Sequence, residues 1–185
     1  MEVVPLEEPE PGIVAAARRG DIDAFETLVR MYQPYVWRLC THLLGGEHSA
    51  HDVAQEAFLK AFRSMNRFKG NSKFSTWLIS IARNCVHDEV RSRSRRQRLT
   101  RAVQTEHQVQ TDSHGQTAIE VRDALVRLPL ELREPVVLID MLGFSYREAS
   151  KALAVREGTV KRRVHRARSD LITILEGERE DADEA

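Results

Sequence analysis

Long apolar runs are missing from this 185-residue chain. None approaches the ~20 residues that cross a bilayer, and no secretory leader precedes the first helical pattern, so a cytoplasmic protein with no membrane insertion of its own is expected. Cysteine is nearly absent. Cys40 and Cys85 cannot build a disulfide framework, and each stands two residues from a histidine (His42, His87). That spacing on a helix aims the two side chains at opposite sides rather than at one metal, so buried free thiols are expected, with no metal and no cofactor. Strand periodicity and internal repeats are also lacking, which leaves an all-α chain.

Net charge is zero, but the average conceals a polarity. The first twelve residues hold four acids and no Lys or Arg, and the last ten hold six acids against Arg179 alone. The body between them therefore carries 27 basic against 18 acidic residues. Acidic ends on a basic body suit a nucleic-acid binder with disordered tails.

The most informative stretch is Phe144 to Leu171. Ser145 and Glu148 have capping-box spacing, so a helix opens at Tyr146, with Ala149, Ala152 and Leu153 on its packed face. Arg156 to Gly158 break the pattern. A second helix from about Thr159 repeats Val160, Val164, Ala167 and Leu171, which turns Arg162, His165, Arg166 and Ser169 outward. Two short helices joined by a tight turn, the second basic on its open side, read as a helix-turn-helix.

Upstream, residues 12–19 predict a short helix ended by Gly20. A second, capped by Asp21 or Asp23, runs to about Leu44 with Pro34 inside it. A third spans Ser49 to Met65, with Val53, Ala54, Ala57, Phe58, Ala61 and Phe62 expected on its buried side. Ser75 is expected to cap a fourth, which runs into an arginine-rich stretch where the apolar pattern vanishes. Residues 102–116 are polar and aperiodic, a linker. Helices over Ala118–Leu128 and Glu131–Leu142 follow, Pro135 being tolerable only near a helix start. The organisation is thus an N-terminal tail and short helix (1–20), a helical domain (21–99), a linker (100–116), a second helical domain (117–175) and an acidic tail (176–185).

In the first domain, Phe68, Phe74 and Trp77 flank Lys69, Asn71, Lys73 and Ser75. Aromatics beside amides and positive charge can hold unstacked single-stranded bases, although Trp77 also reads as a core anchor. The stretches DVAQEAFLKAF (52–62), FSTWLISIARNCVHDEVR (74–91) and GTVKRRVHRAR (158–168) together resemble an extracytoplasmic-function (group IV) sigma factor of the sigma-70 family, in the right order from Asp21 to Leu171.

The resemblance implies two helical domains, sigma-2 and sigma-4, that bind core RNA polymerase through its β′ clamp and β flap and direct promoter-specific initiation. By position, Asp52, Gln55 and Glu56 match the clamp contact, on the face opposite Phe58 and Phe62. The loop Gly70–Ser75 with Lys69, and Arg83, Asn84 and Arg91, match the segments that melt and read the −10 element, where one base is flipped into a pocket. Arg93, Arg95 and Arg96 would join Arg91 on phosphates. Arg162, His165 and Arg166 match the −35 readers, and Lys161, Arg163 and Arg168 its phosphate contacts. The linker, with Glu106 and Asp112, would thread near the polymerase active-site channel. Promoter DNA and a cognate anti-sigma factor, membrane-bound or soluble, complete the implied partners.

Two other classes compete. His51-Asp52 and His87-Asp88 look superficially like the pairs of a metal-dependent phosphohydrolase, but that chemistry needs a further His and Asp converging on the metal. A simple repressor would use the helix-turn-helix and leave residues 21–98 unexplained.

Overall fold

The computed structural model describes residues 6–100 and 116–183, and their regular structure is helical throughout. The order is α1 (Pro11–Arg18), α2 (Ile22–Leu44), α3 (Glu47–Ser64), a 3₁₀ turn (Met65–Arg67), α4 (Phe74–Thr100), α5 (Gln116–Arg127), α6 (Leu130–Val136), α7 (Tyr146–Leu153) and α8 (Glu157–Asp183). Most of the linker expected at 100–116, including Glu106 and Asp112, lies outside the described residues. Among the described residues, no helix is long and apolar enough to cross a membrane, and no cluster of His, Cys, Asp and Glu could hold a metal ion.

Local chemistry sets most boundaries. Asp21 caps α2 by accepting from the Ala24 amide at 3.0 Å, and Gly45 closes it at φ 73°. The arginine run does not end α4, because arginine is a good helix former and Glu89 takes Arg93 at 2.8 Å and Arg96 at 3.1 Å one and two turns on. Pro135 sits late in α6 rather than near its start. It offers no N–H to the turn before it, and the ladder widens to π spacing just beyond, over Val137–Met141. The acidic C-terminal stretch, read as a tail, prolongs α8 as far as Asp183.

α2, α3 and α4 enclose one half of the core, built on Leu28, Tyr32, Val36, Leu39, Ala57, Leu78 and Val86, and α5 to α8 enclose the other, built on Leu125, Leu138, Leu142, Val160 and Val164. The two halves are continuous. Both cysteines are buried and unpaired. Phe62, expected inside, is instead 47% exposed and meets Phe25 edge-on at 5.0 Å. The buried stripe of α3 is Ala50, Val53, Ala54, Ala57 and Ala61, and Phe62 stands about 100° round the helix from Ala61.

The halves meet through groups with little periodicity. Gly45 lies so close to α5 that a Cβ there would come within 2.4 Å of Val126 Cγ2, which excludes any side chain without movement. Arg133, 9% exposed, donates to Leu43 O at 2.6 Å, to Leu128 O at 2.8 Å and to Val126 O. It thus places a buried cation on the negative C-terminal ends of α2 and α5. Burial pulls its guanidinium down to about 10, so it stays charged at neutral pH.

His42, in the last turn of α2, faces the same seam. Burial first, then Arg38 and Arg122, push its imidazole down to about 4. In the unfolded chain it titrates near its ordinary value of about 6.5 and so takes up a proton first as pH falls. Stability is full above that value and is lost through the window from about 6.5 to 4. His42→Gln should flatten this fall in melting temperature, measured by circular dichroism at closely spaced pH.

Candidate nucleic-acid interface

The helix-turn-helix forms as its local sequence dictates. Ser145 accepts from the Glu148 amide at 3.3 Å and donates its own N–H to Glu148 at 2.9 Å, the two halves of a capping box. α7 ends on Ala154, which takes a left-handed φ of 53°. In α8, Val160, Val164 and Ala167 are buried, whereas Arg162, His165, Arg166 and Ser169 are exposed. Not every cation on this helix is equally available. Arg163 pairs with Glu131 at 3.2 Å, and Arg168 forks onto Asp140 at 3.0 and 2.5 Å. Lys161 pairs with Glu157 at 2.9 Å and lies over the Tyr146 ring. Among the described residues Arg166 pairs only within its own helix, 3.7 Å from Asp170. The basic face is therefore braced at its edges by Arg163 and Arg168 and open at Arg162, His165 and Arg166.

In the first half, Phe68, Phe74 and Trp77 pack on one another with centroids 5.1 to 5.8 Å apart, and Tyr32 closes the group 5.3 Å from Phe74. Trp77 is half-buried in this cluster, so it is at least a core anchor. Lys69, Asn71 and Lys73 stand exposed on the loop beside it. Ser75 does not. It is 3% exposed and is not the helix cap. The cap of α4 comes from Glu8, far back in the chain, whose carboxylate accepts from the Phe74 amide at 2.9 Å, the Ser75 amide at 3.3 Å and the Ser75 hydroxyl. The acidic N-terminal segment is thus docked on the body from Leu6 onward, rather than loose as its composition suggested.

Two of the expected −10 residues face the second half. Lys73 meets Glu148 at 2.5 Å. Arg83 holds Glu134, 2% exposed, through Nε at 2.7 Å and Nη2 at 3.3 Å, and His87 Nε2 approaches the same carboxylate at 2.5 Å. Burial pushes the Glu148 carboxyl up, but hydrogen bonds from Lys73 and Ser145 win and hold it down at about 2. Glu148 therefore serves both its capping box and the seam between the halves. Asn84 and Arg91 remain exposed on α4.

On α3, Asp52 and Gln55 are exposed, and Glu56 is 3.8 Å from Lys60. Contrary to the sequence expectation for Phe62, their face is not opposite it. Positions 52, 55, 59 and 62 fall on one stripe by helical spacing, and Leu59 (44%) and Phe62 (47%) are open along it. Residue-level reading missed Leu59 on this face, gave no role to Glu8, Arg133 or Glu134, and weighed His87 only as a metal-site candidate, not as a partner of Glu134. Apolar residues on a polar stripe were the available signal for the first, while contacts bridging tens of residues left none for the rest.

Comparison with known proteins matches residues 28–96 to sigma-70 region 2 and residues 118–171 to sigma-70 region 4. The chain is 34% identical over 173 residues to the ECF RNA polymerase sigma factor SigC of Mycobacterium tuberculosis, covering 92% of this chain and 93% of that protein. It is 32% identical over 172 residues to SigW of Bacillus subtilis, covering 85% and 92%. Among solved structures it resembles the sigma factor RpoE in complex with the anti-sigma factor NepR from Bartonella quintana (TM-score 0.73, 27% identity, 84% of this chain and 98% of that one). It also resembles CnrH bound to the cytosolic domain of CnrY (TM-score 0.70, 26% identity, 89% and 96%).

Proposed function

The chain belongs to the extracytoplasmic-function branch of the sigma-70 family, whose members are not enzymes, and from that premise we propose how its residues divide the work of initiation. The first half, from Asp21 to about Arg98, docks on core RNA polymerase and reads the −10 element. The second, to about Leu175, reads the −35 element. The observation that carries this is the capped helix-turn-helix presenting Arg162 and Arg166 to solvent, behind a first half whose exposed loop cations border an aromatic cluster.

Asp52, Gln55 and Glu56, with Leu59 and Phe62 beside them, form the face offered to the polymerase clamp, where the two apolar side chains supply burial and the polar ones register. Lys69, Asn71 and Lys73 contact the melted −10 strand. Ser75 is committed to Glu8, so its part is structural. Arg83 and Asn84 act at the upstream edge, with Arg91, Arg93, Arg95 and Arg96 along the phosphates. Arg162, His165 and Arg166 take base edges in the −35 major groove, and Lys161 takes phosphate. An anti-sigma factor covers these surfaces when the chain is silent, as the complexes of RpoE and CnrH suggest.

This reading also requires the two halves to part. Elements ~16–17 base pairs apart are about 55 Å apart at 3.4 Å per pair, whereas Lys73 and Glu148 now touch. Docking on polymerase supplies the separation, so the free protein binds duplex promoter poorly.

The test separates the halves. Arg166→Ala should cut run-off transcription about 5- to 100-fold, the loss of one bidentate base contact, while core binding is retained. Gln55→Ala with Glu56→Ala should instead weaken pull-down of core enzyme. Reversed phenotypes would overturn the division of labour.

A further inference from the structure

The segment Leu6–Glu10 is neither helix nor free tail. Pro9 is buried, Leu6 packs against the core, and Tyr32, a residue 1% exposed, donates its hydroxyl to Glu7 O at 2.7 Å. These anchors fix one side chain, Glu8, over the first turn of α4. There it accepts from the Phe74 and Ser75 amides and from the Ser75 hydroxyl. The same turn is the base on which the loop Lys69–Lys73 stands, and Phe74, which Glu8 caps, is a wall of the aromatic cluster beside that loop.

We propose that Glu8 is a positioning residue for −10 recognition, a role that rests on the loop being the −10 reader. It touches no base. The carboxylate, held from outside the helix, sets the direction in which α4 begins and therefore the angle at which Asn71 and Lys73 are presented. A serine cap would have fixed the helix end to its own loop. The cap from Glu8 fixes it to Tyr32 and the α2 wall, so the root of the loop is held from outside the loop. Its negative charge is matched by three donors and by the positive end of a long helix, so it does not oppose DNA there.

The experiment uses the full chain assembled with core polymerase, and reads the ratio of run-off product from a cognate promoter to that from templates carrying single-base −10 changes. Glu8→Ala should lower this ratio about 5- to 10-fold, the equivalent of one ordinary hydrogen bond, with core affinity unchanged. Glu8→Gln, which keeps an acceptor, should recover part of it. Ser75→Ala, which removes one donor of three, should shift the ratio in the same direction by less, and it decides the matter if Glu8→Ala does not fold. An unchanged ratio in these variants would reduce Glu8 to an ordinary cap. A rise in initiation on all templates would make the segment an occluder instead, and either result overturns the proposal. Asn71→Ala reports on the premise separately: if it leaves the ratio intact while Arg166→Ala still cuts initiation, the loop is not the −10 reader and the proposal falls with it.

Discussion

Replacing Glu134 by alanine should open the molecule. This carboxylate is 2% exposed and is the shared acceptor for Arg83 and His87 across the seam. Removing one member of a buried ion pair costs about 3–5 kcal/mol when the partner is left stranded. Here Arg83 and His87 keep 22% and 28% side-chain exposure and can turn to water, so the cost falls below that range, to about 2–3 kcal/mol. At 1.4 kcal/mol per tenfold, that shifts the closed-to-open ratio by about 30- to 150-fold. The expected signature is a larger radius of gyration by small-angle X-ray scattering, with helix content retained. Glu134→Gln, which still accepts from Arg83, should fall between. Initiation with core polymerase should be unimpaired or raised, because Arg83 is released to the DNA. An unexpanded Glu134→Ala protein would mean that the apolar seam and Arg133 hold the halves without help from the ion pairs.

The sequence disclosed what is local and concealed what is not. The capping box of α7, the outward face of α8 and the three stretches that resemble a sigma factor all depend on residues within one or two turns of each other, and pattern reading recovers such relations. α3 shows the limit. Its run of Ala57, Phe58, Ala61 and Phe62 supports two nearly equal apolar stripes, and alanines allow the close approach of α2 and α4 that decides for Ala57 and Ala61. Phe62 is thereby turned to the open side. Ser75 has the right residue type for a helix cap and lost that role to Glu8, a competitor distant in sequence. Nothing local marks Glu134 and Arg133, yet both are buried, because one faces α4 and the other the carbonyl ends of α2 and α5. Only the folded chain brings those groups together.

Locking the halves should abolish initiation. A Cβ built at Gly45 lies 3.5 Å from Val126 Cβ, within the range a disulfide bridges, so Gly45→Cys with Val126→Cys should oxidise in the closed chain. The left-handed φ of 73° at position 45 makes a cysteine there cost about 1–2 kcal/mol, a penalty the closed loop offsets. Neither native thiol should interfere: burial pushes Cys40 up to about 12 and also raises Cys85, leaving little thiolate to exchange. Neither position belongs to a proposed DNA or polymerase contact. The oxidised protein should initiate at least about 100-fold less than the same protein reduced, since the state that spans both promoter elements is no longer populated, and dithiothreitol should restore it. Single cysteine variants should be indifferent to oxidant. Full activity in the verified disulfide form would mean that the two promoter elements can be engaged without separating α2 from α5, and the mechanical premise of the proposed function would fail.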